Sequence, residues 1–115
     1  MQKTDVKQLV IDALDELKAN DVKVLDVKDL TSLTDWMVVA SGRSNRHVKS
    51  LADKVVLDAK HAGHSPIGVE GAGEGEWVLV DLDEVVCHIM LPKIRDFYNL
   101  EKLWEYPRAQ RAAEQ

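Results

Sequence analysis

Trp77-Val-Leu-Val-Asp81-Leu-Asp-Glu-Val85-Val-Cys-His-Ile-Met90 is the stretch that decides the fold. It reads as two strands, 77–81 and 85–90, joined by the acidic turn Asp81-Leu82-Asp83-Glu84. Residues 77–80 are apolar, and so are 85–90 apart from His88. Short Val-rich runs bounded by turn residues read as strands with both faces largely covered. The two are too close in sequence for a crossover, so they must pair antiparallel. The charge around them is one-sided. From His61 to Pro92 there is no Lys or Arg, whereas Glu70, Glu74, Glu76, Asp81, Asp83 and Glu84 are all acidic. A hairpin with an acidic tip and Trp77 at its mouth suits a basic protein surface better than nucleic acid.

Upstream, Val6, Leu9, Val10, Ala13, Leu14 and Leu17 form one apolar stripe at helical spacing. This predicts a helix from about Asp5 to Ala19, ended by Asn20-Asp21. Val22–Val27 reads as a less buried strand, interrupted by Lys23 and Asp26, and Asp29–Ser32 as a turn. Trp36–Ala40 has no polar residue, which predicts the centre of the sheet. Ser44 is suited to cap a second helix. That helix carries the stripe Val48, Leu51, Ala52, Val55, Val56 and Ala59 and runs to about Ala62. Gly63 can take the left-handed position beyond its end, and Pro66 prevents restart. Ile67–Glu70 is a short strand and Gly71–Gly75 a flexible loop. Pro92 suits the first turn of a third helix, with Phe97, Leu100, Leu103 and Trp104 on its inner face and Pro107 as its stop. The expected order is α-β-β-α-β-β-β-α: an α/β (α+β) fold with a mixed sheet of about five strands and helices packed on it. Strand 36–40, helix 44–62 and strand 67–70 would form a right-handed crossover if the strands are parallel.

The 115 residues amount to one domain, 30% charged and 45% apolar, as expected of a soluble globular chain. The net charge of −5 argues against binding by phosphate neutralisation. The N-terminus lacks the apolar core of a signal peptide, and no apolar run approaches the ~20 residues that span a bilayer. Cys87 is the only cysteine, which excludes an intrachain disulfide and a cysteine zinc cluster. A cytoplasmic protein fits all of this. The domain is expected over 1–105, with a polar, frayed tail over 106–115.

Each candidate site has a plain structural reading beside the functional one. Ser41-Gly42-Arg43-Ser44, between a strand and a helix, could cradle a phosphate, but it lacks the full glycine pattern and a turn with an N-cap explains it as well. Asp81 and Asp83 are spaced to share Mg²⁺ from one strand face, yet they fall one strand later than a nucleotidyltransferase would place them. A solvated acidic turn accounts for them. His47 and His88 could form an acid–base pair, but no Ser or Cys nucleophile stands in frame with either. Cys87 reads as core, and His88 as partly buried and hydrogen-bonded. His61 and His64 lack a third ligand nearby, so no metal or cofactor is expected. Trp77 follows a Gly/Glu loop and borders the acidic turn, which makes it either core or an exposed anchor.

Four segments resemble the ribosomal silencing factors, also called Iojap-like proteins. They are Ser32–Gly42, Ser44–Val48, Gly68–Gly71 with Trp77–Asp81, Val85-Val86 and His88, and Tyr98–Trp104. The resemblance spans about Val6 to Trp104. Where that family usually has Gly-Asp after the Asp-x of the turn, this chain has Asp83-Glu84. The resemblance implies a nucleotidyltransferase-like core without its catalytic carboxylates. It further implies binding to large-subunit ribosomal protein L-fourteen, on the face that meets the small subunit. Joining of the subunits would be blocked sterically, lowering translation under nutrient limitation, and the free protein would be a homodimer. The chemistry of the residues then points to Trp77, Asp81, Leu82, Asp83 and Glu84 as partner contacts, with Glu70 and Glu74 at the rim. Arg43, Arg46, Lys49, Lys54 and Lys60 could make minor contact with ribosomal RNA. The competing function from another class is a metal-dependent nucleotidyltransferase using Ser41, Gly42 and Asp81.

Overall fold

Both long helices form where an apolar stripe meets a capping side chain. In the computed structural model, which describes residues 5–99, α1 is Val6–Glu16 and α2 is Asn45–His61. The Asp5 carboxylate accepts from the Gln8 amide at 3.2 Å, and the Ser44 hydroxyl from the His47 amide at 3.1 Å. The two helices end by the same device. Lys18 N–H donates to Asp15 C=O and Ala19 N–H to Leu14 C=O; Gly63 N–H donates to Lys60 C=O and His64 N–H to Ala59 C=O. Each is a paired C-terminal cap around a left-handed residue. In α2 that residue is Gly63, as expected, with φ +85°. In α1 it is Lys18, with φ +61°. The first helix therefore stops at Glu16, short of the expected Ala19.

The strands are β1 (Asn20–Asp26), β2 (Trp36–Ser41), β3 (Gly68–Glu70), β4 (Trp77–Asp81) and β5 (Val85–Met90); α3 is Pro92–Tyr98. They form one mixed sheet in the order β1-β2-β5-β4-β3. Only β2 and β5 pair in parallel; the β4–β5 hairpin is antiparallel, as expected. β2, expected at the centre, stands second, and β5 holds the centre. β3 runs parallel to β2, but β5 and β4 lie between them, so α2 crosses over two strands.

α1 and α2 cover one face of this sheet. Val38, Ala40, Val78, Val80, Val85, Cys87 and Ile89 pack there against Val10, Leu14, Leu51 and Val55. The opposite face carries a smaller cluster of Val27, Met37, Val39 and Met90, joined by Leu25, Leu30, Trp77 and Ile94. β4 was expected to be covered on both faces. Instead it alternates, with Val78 and Val80 buried and Trp77, Leu79 and Asp81 half-buried. In α3 the residue that packs inward is Ile94, whereas Phe97, expected inside, is 80% exposed. Asn99, at φ +50°, ends that helix. Leu100, Leu103, Trp104, the boundary at 105 and the tail 106–115 lie outside the described residues. No described helix is long and apolar enough to cross a membrane.

Candidate protein-binding face

The strand registers set three rows of side chains across the face that lacks α1 and α2. Ser41, Met90 and Trp77 form one; Val39, His88, Leu79 and Glu70 the next; Met37, Val86, Asp81 and Gly68 the third. Met37, Val39 and Met90 are buried there, while Leu79, Val86 and Asp81 are half-buried. This face therefore offers aliphatic surface between an aromatic end and an acidic end.

Trp77 anchors the aromatic end. Its indole N–H donates to His88 Nδ1 at 3.0 Å. That bond makes Nδ1 an acceptor, so a neutral His88 carries its proton on Nε2. His88 is 6% exposed, and burial pushes its pKa down to about 4. His88 is hydrogen-bonded as expected but buried more deeply than the partial burial expected of it, and Cys87 lies in the core as expected. Burial pushes the Cys87 thiol up to about 12, far from a reactive thiolate. The Trp77 ring stands 4.9 Å from that of Tyr98, and Phe97 meets Tyr98 edge-on at 5.0 Å. Sequence reasoning missed the Trp77–His88 pair. Hairpin arithmetic would have found it: pairing Trp77 with Met90 sets Leu79 against His88, and Trp77 diagonal to it on one face.

The loop before Trp77, expected to be flexible, is tied down. Gly75 N–H donates to Gly71 C=O at 3.2 Å, and Asn45 Nδ2 donates to the Glu74 carbonyl at 2.8 Å. Gly71 has φ +83° and lies so close to the Trp77 carbonyl that a Cβ would collide with it.

The acidic end is the hairpin turn. Leu82 N–H donates to Val85 C=O at 2.9 Å and Glu84 N–H to Leu82 C=O at 3.0 Å, with Asp83 between at φ +74°. The Asp81 carboxylate accepts the Asp83 amide at 2.9 Å. Asp83 thus adopts the left-handed conformation for which glycine would serve. The Glu84 carbonyl in turn receives the Asp35 and Trp36 amides, pinning the preceding loop.

Three expectations change at this site. Leu82 is 6% exposed and packs in the main core, which leaves it almost no surface for a partner. Trp77 does not border the acidic turn: it opens β4 and Asp81 closes it, a separation of roughly 13 Å along an extended strand. Ser41, Gly42 and Asp81 do not converge, because Ser41 lies in the Trp77 row and Asp81 in the opposite outer row, two strands away. Ser41 is buried and accepts from Arg95 Nη1 at 2.9 Å. Gly42 allows close approach of α2, since a Cβ there would stand 2.9 Å from the Val48 nitrogen. The nucleotidyltransferase arrangement is therefore not built. His47 and His88 likewise have separate partners, His47 accepting the Arg43 amide and donating to the Leu17 carbonyl, both at 2.9 Å. Of the expected contacts, Asp83 and Glu74 are exposed, as is Glu70 at the edge strand; Asp81 and Glu84 are half-buried. Among the basic candidates for RNA, Lys54 is held by Glu16 at 2.8 Å and Asp58 at 3.2 Å.

Comparison with known proteins adds to this picture. The family described as "Ribosomal silencing factor during starvation" matches residues 1–115. A Chromobacterium violaceum protein named ribosomal silencing factor RsfS is 48% identical over 104 residues, covering 90% of this chain and 85% of that protein. The protein of the same name from Haemophilus influenzae is 38% identical over 97 residues, covering 84% of this chain and 95% of its own length. A crystal structure of a Chromobacterium violaceum protein superposes with a TM-score of 0.87 at 47% identity, over 93% of this chain and 91% of that one.

Proposed function

The chain belongs to the ribosomal silencing factor family, and from that premise we propose that it represses translation by occupying the large ribosomal subunit. Its contact there is ribosomal protein L-fourteen, and its bulk keeps the small subunit from joining, which lowers translation when nutrients are scarce. The observation that carries this reading is the sheet face free of α1 and α2, where Leu79 and Val86 lie between Trp77 and an acidic turn. Apolar surface rimmed by one sign of charge is what a protein partner of the opposite charge requires. Trp77 is the anchor, Asp81, Asp83 and Glu84 orient docking from one end, and Glu70 and Glu74 form the rim. Leu79 and Val86 replace Leu82 as the aliphatic contacts. No bond is made or broken; occupancy is the whole mechanism. The free protein is a cytoplasmic homodimer, and Arg43 and Arg46 make at most minor contact with ribosomal RNA.

Sucrose-gradient sedimentation of separated subunits, with and without the protein, tests this. The protein should travel with the large subunit, and joined particles should fail to form. Unimpeded joining in the presence of excess protein would overturn the proposal.

A further inference from the structure

Beside Trp77 lies a cavity of about 240 Å³, lined by Gly71, Glu74, Glu76, Trp77, Ile94 and Tyr98. We infer that this cavity is an anchor pocket for a single arginine side chain of the partner; the inference rests on the reading that the partner is a basic protein. Two aromatic rings line it, 4.9 Å apart and inclined by 48°. Ring faces attract a cation electrostatically, most strongly where water is partly excluded. Among the described residues, the charged members of the lining are Glu74 and Glu76, and no basic residue lines it. The Lys49 stem passes Gly75, which is outside the pocket lining.

The walls are set before anything binds. Gly71 holds the loop against the Trp77 backbone, Asn45 holds the Glu74 carbonyl, and His88 holds the indole N–H. The Trp77 ring is therefore fixed in orientation with its polar atom already satisfied, which lowers the ordering cost of binding. Arginine fits this chemistry better than lysine. A planar guanidinium stacks on a ring while its N–H fork pairs with a carboxylate, whereas an ammonium is a strongly hydrated point charge.

The test follows the Trp77 indole N–H resonance of the ¹⁵N-labelled full chain during titration with Gly-Arg-Gly amide. Gly-citrulline-Gly amide serves as the neutral isostere. The arginine peptide should move the resonance saturably, and the citrulline peptide should bind roughly two- to fivefold more weakly, as expected for loss of one partly exposed charge pair. Glu74→Gln with Glu76→Gln should weaken the arginine peptide similarly, and Tyr98→Leu should do so without altering charge. Equal effects of the two peptides, or no movement, would overturn the inference. Sedimentation of the same variants separates the two ideas. If wild type and the double Gln variant ride the large subunit equally well, the pocket fails and the ribosomal reading stands. If the peptide binds as expected but neither protein sediments with the subunit, the ribosomal reading fails and the pocket stands.

Discussion

Asp83 bears a conformational cost that its neighbours only partly offset. A left-handed backbone costs an L-residue about 1–2 kcal/mol, less for Asp, which tolerates the region. Its amide bond to the Asp81 carboxylate involves the backbone, so it survives substitution. Asp83→Gly should therefore stabilise the protein by about 0.5–1 kcal/mol, read as a rise of a few degrees in Tm. His88 gives a second prediction. Its pKa is 6.5 when unfolded and about 4 in the fold. Below pH 6.5 the unfolded chain takes up the proton first, so stability is full above that value and falls as the pH drops toward 4. Urea denaturation at pH 5 should show about 2 kcal/mol less stability than at pH 7 from this residue, and His88→Gln should flatten the profile. Trp77→Ala, in a variant confirmed as folded by circular dichroism, should weaken large-subunit binding by ~2 kcal/mol or more. Unchanged affinity would remove Trp77 from the contact set.

At the scale of elements, the two long helices make a controlled comparison, because the same terminal hydrogen bonds surround Lys18 in one and Gly63 in the other. Nothing lies within 4 Å of a Cβ built on Gly63, so replacing it tests conformation without a clash. Gly63→Ala should cost about 1 kcal/mol and Lys18→Gly should gain about 0.5–1 kcal/mol in thermal denaturation, opposite signs at equivalent positions. The same comparison explains what sequence made legible. Glycine announces a left-handed terminus, and Gly63 was readable; lysine does not, so the end of α1 was placed too late. Short apolar runs bounded by turn residues, and helical stripes, located all eight elements, and the hairpin strands matched residue for residue. Strand order is a different matter, since β2 and β5 are both wholly apolar or nearly so and nothing local ranks them. The candidate face was half legible. Its charge stood in the sequence, but the inward turn of Leu82 and the diagonal meeting of Trp77 with His88 depend on register.

For the whole molecule, a net charge of −5, with six acidic residues and no Lys or Arg between Glu70 and Glu84, predicts a kinetic signature. Glu70→Gln, at the exposed rim and outside the pocket lining, should slow association with the large subunit and flatten its salt dependence, while leaving dissociation nearly unchanged. Stopped-flow or biosensor measurements at two ionic strengths would check this; an altered off-rate alone would contradict a steering role. The strand order carries one more consequence, for the chain as it is synthesised. β5, the middle of the sheet, is translated last of the five strands, and β2 must wait for it. At roughly 5–20 residues per second, the gap between completing Ser41 and completing Met90 lasts about 2–10 s. Through that interval Trp36–Ser41 has no partner on its inner edge. A nascent chain ending before Val85 is thus a helix-and-strand fragment whose apolar edge is open to chaperones, and closure of the sheet is gated by the last of its strands to be translated.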